Sequence, residues 1–343
     1  MQFTKRHIIT MIAVMAIALF ISIYKLPYYV YKPGGADALN SIVQVENGHK
    51  SEGDMHLVTI RGGQATPIQY LLAKILPHQE VLPLRNIRPE GVSEDEYFHA
   101  QLKMMESSQE KAIVVAYEAA NEEINITYNG VYVVSVDEKM PASDVLKPGD
   151  RITGINGHPI EKANDLIDYV GSKQAGEIIT VDVERDDRKL TKKIPLKNFP
   201  ENDNKPGIGI KLVTDRAVQV NPDVNFSSGK IGGPSAGLMF SLEIYDQLTE
   251  TDITQGYQVA GTGEIDYQGN VLPIGGIKKK VVAADEEGCD IFFAPNENGA
   301  TDSNYERAVA SAEEINSDMK VVPVDTFSEA LEYLKQLQST EEG

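Results

Sequence analysis

The first strong pattern in the chain is an uncharged, apolar run over residues 8–24 that follows Lys5 and Arg6. At about 17 residues, it reaches the lower length limit for a helix that spans a bilayer. Tyrosines that suit a membrane interface follow it at Tyr24, Tyr28, Tyr29 and Tyr31. Because the basic residues precede the run, the pattern predicts an uncleaved single-pass anchor with a cytoplasmic N-terminus. A cleaved signal peptide is the alternative, although its apolar region is usually shorter.

Residues 36–121 combine strand and helix patterns. Alternating apolar positions predict a strand over residues 56–61. A Thr-Pro pair opens a short apolar helix over residues 66–76. The capping box Ser-x-x-Glu at residues 93–96 opens a longer helix that continues through residues 112–120. No catalytic constellation stands out, so we expect a mixed α/β region of its own that lacks active-site residues.

Short β-strands dominate residues 122–198. A β-branched run over residues 131–136 predicts a strand, and the Asn-Gly pair at 156–157 predicts a tight hairpin. Residues 163–170 then predict a helix, and alternation over residues 178–183 predicts a further strand.

Residues 205–340 predict one α/β domain, in which strands and amphipathic helices alternate. The predicted strands are 207–213, 218–224, 259–265, 271–274, 290–295 and 320–324, and the predicted helices are 235–248, 277–287, 305–315 and one that begins at the capping box 326–329. The fold class expected for the whole chain is therefore a multidomain α/β (α+β) protein.

Composition excludes several classes of function. A net charge of −19 argues against nucleic-acid binding, which needs surplus Lys and Arg. The single cysteine, Cys289, excludes an internal disulfide framework. No His-Glu-x-x-His spacing occurs, and no Gly-x4-Gly-Lys-Ser/Thr loop occurs. We therefore expect no metal, no cofactor and no use of ATP.

Three groups of residues in the second region form a distinctive set. They are Gly130-Val131-Tyr132-Val133 with Pro141-Ala142, Leu146-Lys147-Pro148-Gly149-Asp150, and Ile155-Asn156-Gly157. The set resembles PDZ domains of the bacterial protease-associated kind. In such domains a peptide adds as a strand beside a sheet edge, so the resemblance implies peptide capture. The glycine-rich carboxylate-binding loop is replaced by a plainer Thr-Tyr-Asn-Gly at residues 127–130, and a PDZ-shaped spacer that binds nothing is the alternative.

Two glycine-rich motifs mark the third region, Gly-Gly-Pro-Ser-Ala-Gly at residues 232–237 and Gly-Gly-Ile-Lys-Lys-Lys at residues 275–280. The first motif places Ser235 at a predicted helix N-terminus. The alternative to a functional role is a structural one, as an N-cap serine after a glycine turn. Taken together, in this order and spacing, the motifs resemble the proteolytic domain of the Lon proteases.

The resemblance implies a role for individual residues. Ser235 corresponds to the family's nucleophile and Lys280 to its general base, while Thr262, Gly233 and Pro234 are supporting residues. Two departures stand out: Lon proteases often have Asp where this chain has glycine at position 232, and their ATPase module has no counterpart here.

The chemistry of the residues agrees with that assignment. A serine hydroxyl needs a base, and the third region contains no histidine. A lysine with an ordinary pKa of about 10.4 is protonated at neutral pH, whereas burial lowers this pKa by several units. Lys280 precedes the apolar residues 281–284, so we expect it to be buried, and we expect Lys278 and Lys279 to stay solvated.

The resulting prediction has four segments: an anchor over 1–35, a mixed region over 36–121, a PDZ-like domain over 122–198 and a Lon-like domain over 205–340. The combination resembles the membrane-bound PDZ-Lon peptidases of Gram-positive bacteria, whose streptococcal members process peptide pheromones. The resemblance implies an ATP-independent serine endopeptidase, anchored in the cell membrane with its catalytic domain outside, that cuts exported peptides or proteins. The alternative is a membrane-tethered PDZ scaffold with an inactive protease domain. The sequence leaves the oligomeric state open.

Overall fold

The computed structural model describes residues 5–88, 92–186, 188–199 and 202–337. The chain forms two compact units. One, here called the split unit, joins Met1–Glu123 to Val220–Gly343; the other, the inserted unit, is Ile124–Gln219. This division differs from the predicted segments, because the predicted mixed region shares a unit with most of the predicted Lon-like segment. The last three residues of that 205–340 segment lie outside the described residues.

Helices and strands have the following bounds. The helices are α1 Lys5–Ile23, α2 Pro67–Ala73, α3 Glu94–Ala120, α4 Ala163–Gly171, α5 Gly237–Leu248, α6 Ile277–Glu287, α7 Asn304–Ile315 and α8 Phe327–Lys335. The strands are β1 Tyr28–Ala38, β2 Val43–Val45, β3 Asp54–Gln64, β4 Glu80–Pro83, β5 Glu123–Val136, β6 Arg151–Ile155, β7 His158–Pro159, β8 Ile178–Arg185, β9 Arg188–Pro195, β10 Lys197–Phe199, β11 Asn202–Gly207, β12 Ile210–Asn221, β13 Val224–Phe226, β14 Gln258–Gly261, β15 Glu264–Ile265, β16 Val271–Leu272, β17 Ile291–Pro295 and β18 Lys320–Val324.

The split unit is built on a six-stranded sheet with the order β18-β17-β14-β3-β1-β4. Strands β18, β17, β14 and β3 run parallel, while β1 is antiparallel to both of its neighbours. The run Met55–Val58 is buried at every position, which suits a central strand covered on both faces, and its polar member His56 has a hydrogen-bond partner in Gln258 on β14. The N-terminal strands therefore complete the sheet of the C-terminal domain and do not form a region of their own.

Helix α1 is long and apolar enough to cross a membrane, a property that a signal sequence near the N-terminus would share. Its described side chains are exposed, apart from half-buried Ile21. The tyrosines that follow belong largely to strand β1, where the rings of Tyr29 and Tyr31 lie 4.8 Å apart. Tyr24 alone of the four predicted interfacial tyrosines precedes the strand.

The inserted unit contains a sheet with the order β12-β5-β6-β8-β9, with β7 beside β6. The Asn-Gly hairpin is confirmed, because Ile155 pairs with His158 and both turn residues have positive φ. Two separate strands were predicted over 207–213 and 218–224, but a single strand, β12, covers most of both ranges and ends before Pro222. Its first part packs on the core of the inserted unit through Ile210 and Leu212.

A buried ion pair holds the turn before β6. The Asp150 carboxylate is fully buried and accepts hydrogen bonds from Arg185 Nε and Nη2 at 2.6 Å and from the Lys147 N–H at 2.9 Å. Burial by itself would raise the pKa of Asp150, but these hydrogen bonds outweigh it, so the pKa lies below its usual range. The turn that the sequence signalled with Lys-Pro-Gly-Asp is thus fixed from within the unit.

Replacing Asp150 with asparagine is expected to lower the free energy of unfolding of the inserted unit by about 3 kcal/mol, because the substitution leaves the Arg185 guanidinium without its counter-charge. Urea unfolding of the full chain measures this loss. The matched control is Asp186→Asn, since that exposed side chain makes only a 3.7 Å contact with Lys147. Equal losses for the two variants would contradict the structural role of Asp150.

Candidate active site

The structure brings the two predicted catalytic residues into direct contact. Lys280 Nζ donates hydrogen bonds to Ser235 Oγ and to Thr262 Oγ1, each over 2.7 Å. Thr262 Oγ1 in turn donates to the backbone carbonyl of Ser235 over 2.9 Å. Two hydroxyl groups from two other segments therefore converge on the Lys280 nitrogen.

Lys280 owes its place to the start of α6. Gly276 has φ of 75°, in the left-handed region, and lies close to Ile60, so a side chain there would be strained and crowded. The Lys280 N–H bonds to the Gly276 carbonyl, which places the lysine in the first turn of the helix. Residues around it on α6 pack into an apolar core with Val58 and Phe292.

Burial determines the charge state of this lysine. The side chain is only 3% exposed, and burial lowers the pKa of Lys280 to about 7 from 10.5. The physical cause is the loss of water around the ammonium form, with hydroxyl groups and not carboxylates as its hydrogen-bond partners. A substantial fraction of Lys280 is therefore neutral at physiological pH.

Ser235 lies in a turn that precedes α5, not in the helix itself. The predicted helix start at residue 235 is wrong by two residues, because α5 begins at Gly237 with Ala236 as its N-cap. The reason is that the Ser235 carbonyl accepts from the Gly263 N–H and from Thr262, so it cannot accept an intrahelical bond. The Ser235 hydroxyl contacts Lys280, so the alternative of a simple N-cap serine does not describe it.

Helix α3 supports this turn, a role that the sequence analysis did not anticipate. The Gly233 N–H donates to the Gln101 carbonyl over 2.8 Å, and Ser108 Oγ donates to the Pro234 carbonyl over 2.9 Å. Gly233 has φ of 98°, which suits glycine, and a Cβ on Gly232 would lie 2.8 Å from the Cβ of Gln101. Gln101 and Ser108 are seven residues apart and so share a helix face, which was the signal available in the sequence.

The neighbouring lysines differ from each other. Lys278 is exposed, as expected. The expectation that Lys279 is solvated is wrong, because this residue is buried and its Nζ forms an ion pair with Glu80 at 2.5 Å. The pair links α6 to strand β4 across the split unit, and no sequence pattern signalled this long-range partner.

A candidate peptide-binding edge lies in the inserted unit. Strand β12 is at the end of its sheet and follows a turn in which Gly209 has φ of 83°. A Cβ on Gly209 would lie 2.0 Å from the Cβ of Met140, so only glycine fits there. By contrast, the residues 127–130 that the sequence suggested as a loop lie inside strand β5. The predicted PDZ-like segment ended at residue 198 and so omitted this edge strand.

Comparison with known families agrees with both parts of the chain. Residues 101–196 match the PDZ domain family, and residues 216–336 match the Lon protease (S16) C-terminal proteolytic domain. The chain is thus a mixed α/β protein that carries a PDZ-like domain and a Lon-type protease domain, and the second of these supports a serine peptidase. The PDZ match begins within α3, although α3 belongs to the split unit.

Similar proteins include complete Lon proteases and isolated PDZ domains. The Lon protease of Campylobacter jejuni is 39% identical over 29% of this chain and 12% of its own length, and that of Mycoplasma mobile is 29% identical over 59% of this chain and 24% of its own length. The chain therefore spans less than a quarter of these relatives. The PDZ domain of an SdrC-like protein from Listeria monocytogenes is 39% identical over 26% of this chain and 93% of its own length, with a TM-score of 0.24.

Replacing Lys280 with methionine is expected to raise the free energy of unfolding at pH 7 by roughly 2–4 kcal/mol. The unfolded chain binds more protons than the folded one between pH 7 and 10.5, so the native protein gains stability as pH rises through this window. The methionine variant lacks this dependence, and its advantage should shrink toward pH 10. Denaturation at several pH values, with Lys278→Met as the exposed control, measures the effect. An advantage that does not change with pH would show that Lys280 is not desolvated.

Proposed function

We propose that the chain is an ATP-independent serine endopeptidase in which Ser235 is the nucleophile and Lys280 the general base. The observation that carries the proposal is the 2.7 Å contact between Lys280 Nζ and Ser235 Oγ, with the lysine buried and its pKa lowered to about 7. A nucleophile within hydrogen-bond reach of a base that is neutral at working pH is the arrangement that acyl transfer requires.

The reaction follows from these contacts. In the neutral form of Lys280, the amine accepts the proton of Ser235 as Oγ attacks the carbonyl carbon of the scissile peptide bond. The lysine ammonium then gives this proton to the departing amine nitrogen, and an ester remains on Ser235. Water then gives a proton to Lys280 as its oxygen attacks the ester carbonyl. The lysine ammonium returns that proton to Ser235 Oγ as the carboxylic acid product leaves, which restores both residues. Thr262 is a positioning residue that holds the lysine nitrogen and the Ser235 carbonyl together.

The start of α5 is suited to stabilise the oxyanion. Among the described residues, the N–H groups of Ser235 and Ala236 donate to no backbone carbonyl. They lie at the N-terminal end of the helix, where the helix dipole favours negative charge. We assign these two N–H groups to the oxyanion hole.

Helix α1 supports a location at the membrane. We propose that it anchors the chain with the N-terminus in the cytoplasm and both compact units outside, where exported peptides or proteins are the substrates. The inserted unit captures these substrates by adding an extended segment to the free edge of β12.

Excising residues 124–219 tests substrate capture. The flanking residues are adjacent in the split unit, since Asn221 Nδ2 donates to Glu123 Oε2 over 3.3 Å, so a short Gly-Ser linker can rejoin them. We expect the excised variant to lose at least about tenfold in kcat/KM on a long exported substrate, because it loses remote binding energy. A short generic peptide should be cut nearly as well as before. Equal losses for both substrates would mean that the inserted unit supports the fold and does not grip substrate.

The rival function is a membrane-tethered scaffold whose protease domain is inactive. A serine-directed covalent probe separates the two functions, because an active site should acquire its mass on Ser235. The matched control is Ser241→Ala, since Ser241 lies on α5, the helix that follows Ser235, with its hydroxyl bonded to the Gly237 carbonyl. Labelling that survives Ser235→Ala, or no labelling of the native protein, would favour the scaffold.

A further inference from the structure

We propose that the split unit rests on the membrane surface through an apolar face on α2, here called the α2 face. The face consists of exposed side chains from α2 and the turn after it, Ile68, Leu71, Leu72, Ile75 and Leu76. Leu71 is 63% exposed and Ile75 is 79% exposed. The proposal rests on the proposed function in one respect, namely that α1 inserts in a bilayer.

The concentration of apolar groups at this place is unusual. Within the described part of the split unit beyond residue 24, the other large hydrophobic side chains of comparable exposure are Phe98, Met104 and Leu272, which are spread over two distant segments. A soluble protein scatters such residues, whereas a contiguous patch marks a surface that meets an apolar partner. We therefore infer that the α2 face contacts an apolar partner.

The fold places the α2 face at the point where the chain would leave the membrane. Helix α1 ends at Ile23, and α1 and α2 are in contact. The Leu26 N–H then donates to the Ala65 carbonyl over 2.7 Å, one residue before the N-cap of α2. The ring of Tyr28 packs on that of Tyr70 with centroids 4.9 Å apart. Because α2 is fastened to the exit of α1, an inserted α1 holds the α2 face beside the headgroups.

Charge distribution around the α2 face also suits a bilayer with anionic lipids. Residues 1–36 and 55–79 contain no aspartate or glutamate, although the whole chain contains 51 acidic residues and has a net charge of −19. Cationic side chains are present in both segments, with Lys25 two residues beyond α1 and Lys74 exposed beside the apolar residues. If a second copy of this acidic chain covered the α2 face, it would gain nothing from the absence of carboxylates around the face. An anionic lipid surface, in contrast, attracts the nearby lysines.

This arrangement has the features of an interfacial helix. Helix α2 is short, apolar on its exposed side and flanked by lysine, so it would lie in the plane of the headgroups and would not span the bilayer. Together with α1 it gives the split unit two points of attachment. The unit would then have a fixed height above the membrane.

Fluorescent labels on single cysteines test the proposal in the full chain reconstituted in vesicles of phosphatidylcholine and phosphatidylglycerol. An environment-sensitive dye is placed at Ile75→Cys, Val14→Cys or Glu286→Cys in a Cys289→Ala background, and lipids that carry a quencher are added. We expect a blue shift and loss of most of the fluorescence at positions 75 and 14, and neither at position 286, which is exposed on α6. Labelling at Leu71→Cys gives a second position on the α2 face.

The outcomes separate the inference from the proposed function. Quenching at position 14 but not at positions 71 and 75 would overturn membrane docking and leave the anchor intact. Absence of quenching at position 14 would instead contradict the anchor. A blue shift at position 75 that lipid quenchers do not reach would mean that a second protein copy covers the face, and would overturn docking. Lys74→Glu should reduce quenching at position 75, whereas Lys278→Glu should not.

Discussion

Ser235→Ala and Lys280→Arg are each expected to lower kcat for peptide cleavage by at least about 10⁴-fold, because the residues of one catalytic unit fail together. Ser235→Ala removes the hydroxyl that makes the attack in the proposed reaction. Arginine retains a positive charge but stays protonated, so it cannot accept the serine proton. Steady-state kinetics on a chromogenic peptide, with circular dichroism to confirm the fold, measures both effects.

Matched variants distinguish the loss of a catalytic group from the loss of the folded structure. Lys279→Arg replaces the adjacent buried lysine, whose partner is the Glu80 carboxylate and not a hydroxyl, and should retain most activity because arginine can keep this ion pair. The double variant Ser235→Ala/Lys280→Arg should be no slower than either single variant, since the two residues act in one step. An active Lys280→Arg enzyme would disprove the assignment of Lys280 as the base.

Much of the split unit could be predicted from local patterns. The capping boxes at Thr66, Ser93 and Thr326 open α2, α3 and α8 as the sequence indicated, since the bonds that define them lie within a few residues of each other. The pairing of β14 with β3 could not be predicted in this way. It joins residues that are some 200 positions apart, and no local pattern encodes which strands become neighbours in a sheet.

The extent of the inserted unit could not be predicted from the sequence for a related reason. Strand β12 has the same alternating pattern as any half-buried strand, and its assignment to the inserted unit depends on pairing with β5. The sequence change at residue 198 therefore suggested a boundary where the chain only makes a ribbon between β10 and β11.

The candidate site was partly predictable from residue types. The need of Ser235 for a base, in a region without histidine, directed attention to lysine, and the apolar residues after Lys280 indicated burial. The same argument failed for Lys279, because an ion pair with the carboxylate of Glu80, a partner distant in sequence, compensates for the burial of this lysine. The supporting contacts from Gln101 and Ser108 come from α3, which is distant in sequence and carries no motif.

Activity is expected to rise about tenfold per pH unit below pH 7 and to level off above it, because only neutral Lys280 can accept the serine proton. Burial lowers the lysine pKa to about 7, so the neutral fraction grows as pH rises through this value. The pH dependence of kcat/KM on a short peptide without ionisable side chains reports this pKa for the free enzyme. If Lys280 kept its ordinary pKa, this rise of activity would occur more than three pH units higher.

Titration of a second group could produce the same rise of activity with pH, here called the acid limb. It has to be distinguished from the titration of Lys280. Glu243 is buried on α5, the helix that follows Ser235, and burial raises its pKa to about 8. Its carboxyl group accepts a hydrogen bond from Gln247 Nε2 and has no described contact with Ser235 or Lys280, so Glu243→Gln should leave the acid limb near pH 7. Thr262→Val, in contrast, removes a hydroxyl that contacts the lysine nitrogen and should shift the limb. A limb that disappears in Glu243→Gln would assign the titration to the carboxyl group, and Lys280 could then no longer be identified as the base from the pH profile.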